Sequence, residues 1–157
     1  MENEMGMENA SKFSASQETT EAMAKEMLVH KFVEKLESKK DSQAIMAEII
    51  QSTPEQVQVT NTDGVEETYE ADLEKLGDIL QQSSDSPETQ RAITLLENAL
   101  NERLEVWSAT IDEDPSATRP TKIEHTFPEL QLLMERAGHG QTTQEKITAF
   151  VEKYAEK

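Results

Sequence analysis

The sequence predicts a mainly α-helical protein, with about six amphipathic helices in a small irregular bundle and one short β-hairpin near residues 56–70. Three observations lead there. Apolar residues recur at helical spacing along most of the chain, Ser/Thr-x-x-Glu/Gln capping boxes recur ahead of these stripes, and only the stretch around Asn61-Thr62-Asp63-Gly64 changes to period two.

Residues 1–13 show no periodicity and are expected to form a flexible polar tail. Ser14-Ala15-Ser16-Gln17 has capping-box spacing, and Ala22, Val29, Phe32, Val33 and Leu36 with Met23, Met27 and Leu28 give an amphipathic helix to about Ser38. Asp41 is placed to cap a short helix with Ile45, Met46, Ile49 and Ile50 on one side, ended at Thr53-Pro54 because a residue before proline is driven out of the α region. Val57 and Val59 then alternate before the Asn61–Gly64 turn, with Val65 and Tyr69 after it, which is a hairpin pattern. Leu73, Leu76, Ile79 and Leu80 mark another short helix.

Ser86-Pro87-Glu88 opens the strongest helix, since proline lacks the N–H that a first helical turn leaves unbonded. Its stripe of Ile93, Leu96, Leu100, Leu104, Trp107 and Ile111 places Trp107 in the core. Asp112, Glu113 and Asp114 end it where the helix dipole is already negative, so fraying is expected there. A polar linker near 112–125 separates a C-terminal helical pair, 126–157, from the rest of an expected single domain spanning 14–157. Thr126–Glu129 and Thr142–Glu145 are two more capping boxes, ahead of Leu130, Leu133 and Met134 and of Ile147, Phe150, Val151 and Tyr154, with a Gly138-His139-Gly140 turn between them.

Strong core formers are sparse: Leu, Ile, Val and Phe make up 31 of 157 residues, which predicts a thin core and leaves room for self-association or a partner that completes it. The charge is uneven. Residues 1–40 hold 8 acids and 6 bases, residues 41–115 hold 18 and 3, and residues 116–157 hold 6 and 6. Nearly all of the net charge of −17 therefore lies in the middle. Such a segment repels phosphates, so neither nucleic acid nor an anionic membrane is an expected direct ligand.

Chemistry-bearing motifs are missing. With no cysteine there is no disulfide, no thiolate nucleophile and no Cys-ligated zinc. His30, His125 and His139 are far apart and outside any HExxH frame, no serine sits in a G-x-S-x-G elbow, and the Gly138–Gly140 turn lacks the spacing and lysine of a phosphate loop. Asn61, Asp63, Gly64 and Glu70 resemble part of an EF-hand loop, but Val59 stands where the first carboxylate belongs, so a plain hairpin turn is expected. The N-terminus has no basic or apolar run and no stretch is apolar enough to span a bilayer, so the expected compartment is the cytoplasm of the producing or infected cell.

The expectation is a non-enzymatic protein–protein interaction module without metal or cofactor. Its acidic middle, 41–115, docks on a basic protein surface, with Glu66, Glu67, Glu70, Asp72, Glu74, Asp112, Glu113 and Asp114 as the contact residues. One form is a nucleic-acid mimic that inhibits a DNA- or RNA-binding protein. The alternative is a scaffold or assembly-chaperone subunit of a larger particle, such as that of a phage.

Overall fold

The computed structural model describes the backbone of residues 6–51 and 54–155, and side chains from Thr20 to Tyr154 apart from 52 and 53. Six helices and one hairpin follow in order: α1 (Gly6–Glu37), α2 (Ser42–Gln51), β1 (Glu55–Thr60), β2 (Glu66–Ala71), α3 (Leu73–Gln82), α4 (Pro87–Glu113), α5 (Pro128–Arg136) and α6 (Gly140–Ala155), with a 3₁₀ turn at Ile123–His125.

Helix α1 starts at Gly6 and not at the Ser14 box, so residues 6–13 are helical where a tail was expected. The segment contains no proline, and its Met, Glu, Ala and Lys are good helix formers. Residues 1–5 lie outside the described part. Ala24, Leu28, Val29, Phe32, Val33 and Leu36 form the buried side of α1. Met23 and Met27, read with that stripe, are 47% and 39% exposed, because the helical rotation turns them roughly opposite to it.

Asp41 caps α2 as expected, its Oδ1 accepting the Ala44 N–H at 2.9 Å. Ile45, Met46 and Ile49 are buried, while Ile50 falls off that side and is exposed. The hairpin pairs antiparallel in register from Glu55 with Ala71 to Thr60 with Glu66. Its turn is closed by Asn61, whose side-chain oxygen accepts the N–H groups of Asp63 (2.9 Å) and Val65 (3.0 Å). Gly64 takes φ 81°, a conformation that favours glycine. The EF-hand-like oxygen of Asn61 is thus occupied by backbone amides.

Two expected capping boxes, at Thr126 and Thr142, are replaced, and the start of α4 is uncapped by a side chain. Ser86 sits at the N-cap of α4 but makes no side-chain capping bond, and Pro87 alone supplies the start. Phe127, in a left-handed conformation, occupies the N-cap of α5, while the Thr126 hydroxyl donates back to the Lys122 carbonyl at 2.9 Å. Helix α6 begins at Gly140, ahead of the Thr142 box, and the buried Thr143 hydroxyl donates to the His139 carbonyl at 3.0 Å. The α5–α6 turn is a Schellman closure: His139 N–H reaches Met134 O at 2.8 Å and Gly138 N–H reaches Glu135 O at 3.1 Å, with Gly138 at φ 90°.

The C-terminal pair is not set apart by the linker. Leu130, Leu133 and Met134 of α5 and Ile147 and Val151 of α6 belong to the same core as Leu28 and Phe32 of α1, Val57 and Val59 of β1 and Leu96 and Leu100 of α4. Helix α5 lies close against α3, where a Cβ on Gly77 would stand 2.5 Å from the Cβ of Arg136. Most of the sparse apolar supply is turned inward, with Ile50, Val65 and Val106 left exposed. A satellite cluster of Ile111, Phe150 and Tyr154 holds the second half of α4 against α6. Trp107 is half-buried there, and its indole N–H donates to Thr118 O at 2.7 Å, tying the linker back to α4. Among the described residues no helix is long and apolar enough to cross a membrane.

Candidate functional site

The acids of the hairpin fall on two faces because side chains alternate along a strand. Glu66 and Glu70 point outward, beside Gln56, Gln58 and Thr60 of β1. Glu70 accepts a hydrogen bond from Gln56 Nε2 at 3.1 Å. Glu67 is on the inner face and half-buried, and its two oxygens take the Asn61 amide and the Tyr69 hydroxyl, each at 2.8 Å. Those two bonds, Asn61 first, hold its carboxyl below the usual range.

Asp72 and Glu74 serve the fold. Asp72 caps α3, its Oδ1 accepting the Lys75 N–H at 2.9 Å, and Glu74 in the first turn faces Arg136 of α5 at 3.1 Å. Asp78, one turn on, is 3.6 Å from the same guanidinium.

Asp112, Glu113 and Asp114 form a separate group. They stand at the end of the 27-residue α4, about 39 Å along the helix from Pro87. Their neighbour is Tyr154 of α6, whose hydroxyl lies 3.4 Å from Asp112 Oδ1, whereas the hairpin packs on α1 and α3. Asp114 is the C-cap of α4, and its carboxylate accepts the Ser116 hydroxyl (2.6 Å) and amide (3.0 Å), which keep its carboxyl below the usual range. The eight residues read from the sequence are therefore not one patch. Glu67 is half-buried and the other seven are exposed, but Glu67, Glu70, Asp72, Glu74, Asp112 and Asp114 each have a hydrogen-bond or ion-pair partner inside the protein.

Further exposed carboxylates extend the outward set. Asp63 in the hairpin turn and Glu102 and Glu105 on α4 are exposed and, like Glu66 and Glu113, make no ion pair among the described residues. Basic residues of α1, of the loop after it and of α4 pair with several other acids. Lys35 lies between Glu48 (3.2 Å) and Glu55, and Lys39 reaches Glu48 at 3.2 Å. Arg91 of α4 meets Glu37 of α1 at 2.7 Å. His30 of α1 joins Glu88 of α4 and lies 3.4 Å from Glu34. The Glu88 bond chiefly, then the charges of Glu88 and Glu34, raises the imidazole above its ordinary 6.5.

Nothing in the spacing of these pairs between elements signals them, because their members are 9 to 58 positions apart. A cleft of about 490 Å³ opens beside the His30–Glu88 pair, between α1 and the junction of α3 with α4. No protein-family model, curated protein or solved structure matches this chain.

Proposed function

We propose that this chain is a non-catalytic interaction module that docks on a basic protein surface through the exposed carboxylates of its middle segment. The observation that carries the reading is the set Asp63, Glu66, Glu102, Glu105 and Glu113, exposed and without a cationic partner among the described residues. Glu70 adds to it on the outer hairpin face. Unneutralised exposed acids set up a field reaching about 8 Å at physiological ionic strength, which speeds encounter with a basic partner and disfavours acidic competitors. Exposed carboxylates of this kind can stand in for phosphates before a DNA- or RNA-binding protein, so inhibition by nucleic-acid mimicry is the specific form proposed.

Changing Asp63 to Asn and Glu66, Glu70, Glu102, Glu105 and Glu113 to Gln tests the reading. Capture of basic proteins from a lysate at low salt is expected to fall with this variant and to vanish for the parent at about 0.5 M salt. Gln at Glu124 of the 3₁₀ turn and at Glu145 and Glu152 of α6, all exposed and outside the middle segment, is the control. Loss in proportion to the number of charges removed, whichever set they come from, would show that only total charge matters and would overturn the proposal.

One observation favours the assembly reading: exposed Met23 and Met27 lie side by side, four residues apart, on the outer face of α1. A complex that survives high salt and is lost on Met23→Gln and Met27→Gln would support it.

A further inference from the structure

The cleft between α1 and the α3–α4 junction combines an apolar floor with an acidic rim. Val29 and Ile79 form the floor, Ala22 and Pro87 the walls, and Glu26 and Glu88 reach the rim. Its volume of about 490 Å³ falls within the range of built ligand sites. Lys25 is the one cation in the lining, and it is engaged: its ammonium donates to Gln82 Oε1 at 3.0 Å and lies 3.6 Å from Glu21. Lys25–Gln82 joins α1 to α3, and His30–Glu88 joins α1 to α4. These two links brace the walls. Glu26 has no cationic partner among the described residues.

We propose that this cleft seats one lysine or arginine side chain of the basic partner, its methylenes on Val29 and Ile79 and its head group between Glu26 and Glu88. The inference rests on the reading that the partner is basic, and it names where the anchor residue goes. Long basic side chains suit such a site because an apolar stem covers apolar surface while the charged head stays at the wet rim. Charge-assisted bonds to carboxylates then fix the orientation. An anion is disfavoured by Glu26, which has no cationic partner among the described residues, while Glu88 is shared with His30 and offers its remaining acceptor capacity. A neutral apolar ligand fills the floor and leaves the rim unused.

The test is an NMR titration of the ¹⁵N-labelled full chain with n-hexylguanidinium, compared with n-hexanol and n-hexanoate. Saturable shifts at the amides of Val29, Ile79 and Glu88 are expected with the guanidinium, binding about tenfold weaker with hexanol, and none with hexanoate. E26Q/E88Q is expected to lower guanidinium affinity about tenfold. Because E88Q also removes the His30 brace, A22Y serves as a second variant that blocks the cleft from an exposed position and leaves both braces intact. Equal binding of hexanol, no saturable shift in the cleft, or unsaturating shifts spread over Glu66, Glu102 and Glu113 would overturn the proposal. If those results came with salt-sensitive capture of basic proteins intact, only the cleft assignment would fall. Saturable cleft shifts with no basic protein captured would instead remove the broader reading.

Discussion

Lys35 of α1 forms an ion pair with Glu55, the first residue of β1, whose side chain is 5% exposed. Glu48 of α2, 13% exposed, shares the same ammonium, so one lysine fastens three elements together. Burial opposes the charged lysine, but hydrogen bonds and charge from Glu55 and Glu48 outweigh it and raise its pKa. Burial likewise opposes ionised Glu48, and Lys35 with Lys39 outweighs that and lowers its pKa.

Removing the lysine leaves the poorly hydrated Glu55 carboxylate without its cation, while Glu48 keeps Lys39, so Lys35→Met is expected to cost about 3 kcal/mol in urea unfolding. Lys35→Met with Glu55→Leu should recover most of that loss, because an apolar pair leaves no charge stranded at β1. A double variant as unstable as the single one would show that packing, not charge, is what matters. The sign of the pH effect follows from the same network. Glu48, lowered from 4.5, contributes stability above pH 4.5 that is lost as pH falls through its folded value. Lys35, raised from 10.5, contributes below pH 10.5 and loses that contribution as pH climbs past its folded value.

His30 gives a second pH dependence of opposite slope to Glu48. Its folded pKa is raised above 6.5 by Glu88 first and Glu34 second, so its contribution is complete below pH 6.5 and fades as pH rises through the folded value. The Tm difference between the parent and His30→Gln should be larger at pH 5.5 than at pH 8.5. The same difference at both values would mean that the α1–α4 link is not ionic.

Trp107 sits edge-on to Phe127 (centroids 6.2 Å apart, planes at 79°) and 5.0 Å from Phe150, with its N–H on Thr118 O. Trp107→Ala is expected to cost about 3 kcal/mol, the low end for an aromatic truncation because the ring is only half-buried. Trp107→Phe keeps the ring contacts and drops the hydrogen bond, for about 1 kcal/mol. If Trp107→Phe matched Trp107→Ala in denaturant midpoint, the tie to the linker would be the dominant interaction.

Gly77 is buried in the middle of α3, where alanine would normally favour the helix by about 1 kcal/mol. Here the added Cβ meets the Cβ of Arg136 at 2.5 Å and the Leu133 carbonyl at 3.0 Å, so Gly77→Ala should destabilise by about 1 to 2 kcal/mol net of that gain. A stabilised variant would show that α3 and α5 can separate freely.

Much of this was legible in the residues. The spacing of Ile93, Leu96 and Leu100 marked α4, Asp41 marked the start of α2, and Asn61–Gly64 marked the hairpin turn, since each signal is local and set by backbone geometry. Caps were read less well. Phe127 at the N-cap of α5 and Gly140 opening α6 follow from how the chain turns between packed helices, and the Ser/Thr-x-x-Glu spacing does not encode that. Negative charge was legible in the residues but its engagement within the protein was not: Asp72 caps α3 while staying exposed, Glu67 turns to the inner hairpin face, and Glu102 and Glu105 stand outward.

By itself the sequence determined the helical class, the hairpin and the concentration of negative charge, because periodicity, turn chemistry and composition act within a few residues of one another. Tertiary structure alone decided which charges find partners. Lys35 with Glu55 and His30 with Glu88 meet across 20 and 58 positions, and only the packing of α1 against β1 and α4 brings those side chains within Coulomb range of each other.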